Sequence, residues 1–145
     1  MEKEAAVAVQ APTDAIWAVV VDVERWPEVT PSMTEVRRLD DGELRPGSKA
    51  RIRQPGFAPA QWEVTVVDPP RIFTWVSSAP GVRTVAEHEI RSTPGGSELV
   101  LRLRQSGPLA PVVRAVYGRR IRRFLEQEAA GLAGAAEARV RTLET

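Results

Sequence analysis

The stretch VRTVAEHEIRSTPGGSELVLRLRQ, residues 82–105, decides the fold. Before the Pro94-Gly95-Gly96 turn, Arg83, Glu87, Glu89 and Arg91 face one way, and Val82, Thr84, Ala86, His88 and Ile90 the other. After it, Glu98, Arg102 and Arg104 oppose Leu99, Leu101, Leu103 and Gln105. A period of two on both sides of a short glycine turn reads as an antiparallel hairpin. Charge then sets the register. Pairing Ile90 with Leu99 puts Arg91 opposite Glu98 and Glu87 opposite Arg102, whereas a slip of one residue would mix the ionic and apolar faces. One face of the sheet is therefore wet, and the other is mostly apolar.

On the C-terminal side, Pro108 and Pro111 close the last strand and suit the first turn of a helix. Val113, Val116, Tyr117, Ile121, Phe124, Leu125 and Leu132 then trace one stripe at helical spacing to about Leu143. The cluster Arg114, Arg119, Arg120, Arg122, Arg123 reads as a solvated helix face, with Glu126 placed to pair with Arg122 four residues earlier.

On the N-terminal side the strands come in short alternating runs. Glu4–Gln10 puts Val7 and Val9 on one face, and Pro12-Thr13-Asp14 starts a short helix in which Thr13 caps the free amides. Arg25-Trp26-Pro27 breaks that helix, and a second strand is expected near Met33–Leu39. Ser48–Gln54 follows, then the turn Pro55–Pro59, then Ala60–Val67 with Trp62, Val64 and Val66 on one face, a register that places Arg51 near Glu63. Ile72–Ser77 puts Phe73 and Trp75 together.

The chain has 145 residues, the size of one domain, and a net charge of +1, which is a poor electrostatic footprint for a nucleic-acid binder. It has no cysteine and a single histidine, so neither a disulfide nor a zinc site is expected, and no cofactor is implied. No stretch approaches the apolar length of a membrane span, and a cytoplasmic monomer or weak homodimer is the expectation.

The order strand, short helix pair, antiparallel strands, long helix resembles the helix-grip fold of the START/Bet v 1-like (SRPBCC) superfamily. More narrowly it resembles bacterial polyketide cyclase/dehydrase-like and lipid-transport proteins. The residues carrying the resemblance are Ala11-Pro12-Thr13-Asp14-Ala15-Ile16-Trp17, Asp22-Val23-Glu24-Arg25-Trp26-Pro27, Trp62-Glu63-Val64, Pro69-Pro70-Arg71 and Gln105-Ser106-Gly107-Pro108-Leu109. The resemblance covers residues 1–145 as a single α+β domain and implies six or seven strands curved round the C-terminal helix, with a cavity between them. It carries no fixed catalytic signature.

By parity the cavity would be lined by Ile52, Gln54, Trp62, Val64, Phe73, Trp75, Thr84, Ala86, His88, Leu101, Leu103 and Gln105 from the sheet. Tyr117, Ile121 and Phe124 would face them from the helix, and Trp26 would either close the mouth or staple its loop to the sheet. Gln54, Thr84 and Gln105 point to a cavity independently, because a filled core does not collect several polar groups without partners. Three functions fit. The first is binding or carriage of a small hydrophobic molecule. The second is a cyclase or dehydratase in which His88 acts as acid or base with help from Tyr117. The third is a protein-interaction module. His88 has an alternative reading as a core histidine satisfied by its neighbours.

Overall fold

The computed structural model describes residues 2–144. β1 (Glu2–Val9) leads into α1 (Thr13–Val20), a 3-10 turn (Val23–Arg25) and α2 (Trp26–Val29). Six strands follow: β2 (Glu35–Arg38), β3 (Lys49–Arg53), β4 (Ala60–Asp68), β5 (Ile72–Ala79), β6 (Val82–Thr93) and β7 (Gly96–Ser106). α3 (Ala110–Glu144) ends the chain. The strands form one antiparallel sheet in the order β1-β7-β6-β5-β4-β3-β2, which is the helix-grip α+β fold.

The β6–β7 hairpin pairs as the charges require, with Ile90 opposite Leu99, Arg91 opposite Glu98 and Glu87 opposite Arg102. Arg102 gathers Glu89 at 2.8 Å, Glu4 at 3.2 Å and Glu87 at 3.8 Å, so one guanidinium ties three strands together. Hydrogen bonds donated by Arg91 and Arg102 hold the Glu89 carboxyl below its ordinary range. Solvated pairs of this kind contribute ~0–1 kcal/mol each. They select register more than they add stability.

Four local expectations change. Lys49, not Arg51, stands opposite Glu63, because small Ala50 pairs with bulky Trp62 and sets the register of β3 on β4; Arg51 faces Gln61. A β-bulge between Val64 and Val66 then reverses the alternation, so Val67 packs on the core while Val66 is left 42% exposed. Pro12 occupies the N-cap position of α1, and the Thr13 hydroxyl makes no capping bond. Arg122 and Glu126 are both exposed and form no ion pair among the described residues.

α3 is not used uniformly. Its second half buries Leu125, Ala129, Leu132, Ala133 and Ala136 against α1, β1 and β7. Small side chains let the helix approach closely there, and Gly131 lies so near α2 that an added Cβ would sit 2.2 Å from the Val29 carbonyl oxygen. Gly131→Ala is therefore expected to destabilise the protein by about 1–3 kcal/mol. Gly134, three residues on, has nothing within 4 Å of a Cβ, and Gly134→Ala should stabilise by up to about 1 kcal/mol. Urea denaturation of the two variants should give opposite signs. Under its first half the helix and the sheet line a common gap instead, and Tyr117 and Phe124 pack on Phe57 of the β3–β4 loop. Val116, expected on the buried stripe, is 66% exposed.

Candidate functional site

The gap under the first half of α3 is a cavity of about 480 Å³, within the range of small-molecule sites. Its floor is the inward face of the sheet: Ile52 from β3 with Gln54 just after it, Trp62 from β4, Trp75 from β5, Thr84 and Ala86 from β6, Leu103 and Gln105 from β7. The helix supplies Tyr117, Ile121 and Phe124. Period-two alternation in five strands brings these distant positions onto one concave surface.

Val64, Phe73, His88 and Leu101 share that inward parity but lie beneath the wall, each 2% exposed or less. α1 and α2 cover this end of the sheet and turn a lining position into a core position. Of the two readings of Trp26 the burial favours the staple: it is fully buried, with its ring centroid 5.3 Å from that of Trp75 and 5.4 Å from that of His88. Its indole N–H donates to the Val19 carbonyl at 3.2 Å. Trp26 is thus a staple fastening α2 to the sheet and is not among the residues that line the cavity.

The β3–β4 loop does form part of the rim. Phe57 packs against Tyr117 and Phe124 at centroid distances of 5.0 and 6.0 Å. Ala58, Pro59, Ala79 and Pro80 also line the cavity and are exposed to solvent. Phe57 lay in a stretch read only as a turn, and nothing in a turn sequence says where its apolar member will dock.

The main polar feature of the wall is Glu128, a residue the sequence reading passed over. It lines the cavity while only 8% exposed, and its Oε1 lies 3.3 Å from His88 Nε2. The other imidazole nitrogen, Nδ1, is 3.1 Å from the Phe73 carbonyl oxygen. A carbonyl can only accept, so Nδ1 carries a hydrogen and donates it. The Nε2–Glu128 contact then needs one further hydrogen, on either the carboxyl or the ring. A buried pair of this kind can keep a proton within reach of the cavity, with Glu128 at the surface and His88 behind it. Further polar groups are already engaged: Gln54 Nε2 donates to the Ser32 carbonyl at 3.3 Å, and the Ser77 hydroxyl donates to the Gln61 carbonyl at 2.9 Å. Among the described residues no three His, Asp or Glu side chains converge as a metal site would need, and no helix is long and apolar enough to cross a membrane.

Comparison with known proteins bears on this architecture. A family model described as polyketide cyclase/dehydrase and lipid transport matches residues 2–137. The chain is similar in structure to the ZhuI aromatase/cyclase of a Streptomyces species, at a TM-score of 0.81 and 22% identity, covering 99% of this chain and 97% of that one. It is also similar to the di-domain aromatase/cyclase StfQ of the steffimycin pathway, at a TM-score of 0.71 and 14% identity, covering 99% of this chain and 51% of StfQ. The protein TTHA0849 from Thermus thermophilus superposes at a TM-score of 0.71 with 14% identity, over 100% of both chains. At these identities the likeness speaks for the fold alone. No curated protein matches the chain in sequence.

Proposed function

The chain belongs to the polyketide cyclase/dehydrase and lipid transport family, within the START/Bet v 1-like superfamily, and from that premise we propose that its cavity binds a small, largely apolar molecule bearing at least one hydrogen-bonding group. The observation that carries this reading is the cavity itself, about 480 Å³ walled by Trp62, Trp75, Tyr117 and Phe124, with the Glu128 carboxyl as its polar anchor. Aromatic walls supply apolar area and ring contacts, and one buried polar group fixes orientation. Polyketide-like and lipid molecules both fit that description.

Anilinonaphthalene sulfonate should bind saturably and quench the emission of Trp62 and Trp75. Thr84→Phe, which fills the floor of the cavity, should weaken that binding at least about tenfold while the melting temperature is held, since a ligand that loses a few contacts of ~0.5–1 kcal/mol each loses that much affinity. Undiminished binding to a folded Thr84→Phe protein would refute the reading.

The Glu128–His88 pair favours one second reading, a dehydratase or cyclase acting on a polyketide-like substrate. Loss of water from a β-hydroxy carbonyl needs a base to take the proton on the α-carbon and an acid to protonate the departing hydroxyl. Glu128 stands where a bound substrate could exchange a proton with it, and His88 would hold or return that proton from behind. Tyr117, proposed beside His88 from the sequence, would serve as a hydrogen-bond donor from the opposite wall.

A further inference from the structure

The first half of α3 carries a surface that ligand binding does not use. Leu109, Val112 and Val116 are 47%, 55% and 66% exposed, although each is apolar. Positions 109, 112 and 116 fall within one helical stripe at a period of 3.6 residues, so they form one patch. Arg119, Arg120 and Arg123 continue the same stripe, and all are exposed. Between residues 110 and 125 there are five arginines and no acidic residue, in a chain whose net charge is only +1. None of the five takes part in an ion pair among the described residues. Leu109 also touches the β5–β6 turn at Gly81, beside Pro80 on the cavity rim. An apolar, cationic helix face thus borders the entrance to the cavity.

We propose that this face docks on an anionic lipid bilayer, with Leu109, Val112 and Val116 entering the interface and the arginines meeting the headgroups, so that the cavity mouth opens against the membrane. A helix with an apolar strip flanked by basic residues is the pattern that lies in a bilayer surface. Two other occupants fit less well. A second copy on the same face would bring two sets of three arginines together, and a purely ionic partner gives no reason for three exposed aliphatic side chains beside them.

Co-sedimentation with vesicles tests the idea, using phosphatidylcholine alone and phosphatidylcholine with phosphatidylglycerol. The protein should bind the anionic vesicles only, and more weakly as salt rises. Arg119→Gln with Arg123→Gln should weaken partitioning about 30-fold, the factor expected for two basic residues at about 1 kcal/mol each. Val112→Ser with Val116→Ser should weaken it about tenfold or more. All four positions are exposed, so circular dichroism and melting temperature should stay as in the parent, and dye binding in the cavity should persist. Three outcomes would overturn the proposal: no binding to anionic vesicles at low salt, equal binding to neutral ones, or loss with the arginine variant but none with the serine variant. The last would point to an acidic macromolecule instead.

Discussion

Trp26→Ala is expected to cost about 3–5 kcal/mol of stability, the range for removing a large buried aromatic side chain. Small domains are held by only about 5–15 kcal/mol in total, so a sizeable fraction of the variant should be unfolded at 37 °C. The reasoning starts from position. Trp26 is the first residue of a four-residue helix that cannot persist alone, and Pro27 leaves it few internal hydrogen bonds. What holds α2 in place is the indole, fully buried against the Trp75 and His88 rings and bonded to the Val19 carbonyl. Trp26→Phe keeps a ring in the same slot and loses the N–H, so it should cost less, about 1–2 kcal/mol. Urea denaturation with circular dichroism measures both. If Trp26→Ala cost under about 1 kcal/mol, Trp26 would not be the staple of α2, and the inner end of the core would need redrawing.

The second large effect concerns Glu128 and His88. Glu128→Leu leaves His88 Nε2 buried among Trp26, Phe73 and Trp75 without its partner, and His88→Leu leaves the carboxyl without its own. Each single change should destabilise by about 2–4 kcal/mol, combining lost packing with an orphaned buried polar group. Replacing both with apolar side chains, as Glu128→Leu with His88→Leu, removes the orphan. The double variant should lie within about 1–2 kcal/mol of the parent, giving a coupling energy of 1.5 kcal/mol or more in the cycle. The pair is then not kept for stability, since an apolar core would serve as well. Anchoring of a bound molecule by Glu128, or the acid–base role of the second reading, would then be what the pair serves. Strict additivity in the cycle would show that the two groups do not interact in solution, and the acid–base reading would fall with it.

Legibility in the sequence followed the source of each constraint. The β6–β7 register could be read because two ion pairs and an apolar face all reject a one-residue slip. The β3–β4 register could not, since its loop is long and its decisive pair, Ala50 with Trp62, rests on side-chain volume across strands. Glu128 was in fact visible. It falls four residues after Phe124, seven after Ile121 and eleven after Tyr117, so it shares their helical stripe. A carboxyl on an apolar stripe is the kind of local conflict that marks a functional site.

Alternation, turn residues and helical period are local properties of the chain, and they were enough to indicate six or seven strands, the long terminal helix and, apart from the bulged end of β4 and Val116, which side chains point inward. What they could not supply is the depth at which an inward side chain ends up. Ala86 and His88 are two residues apart on the same face of the same strand, yet one meets the cavity and the other lies under Trp26. That difference arises because α1 and α2 cover one end of the sheet. At the other end Tyr117 and Phe124 face the sheet across the gap, while Gly131 and the alanines near it let the far half of the helix pack closely. Only the packing of elements distant in the chain decides where a grip closes and where it leaves room.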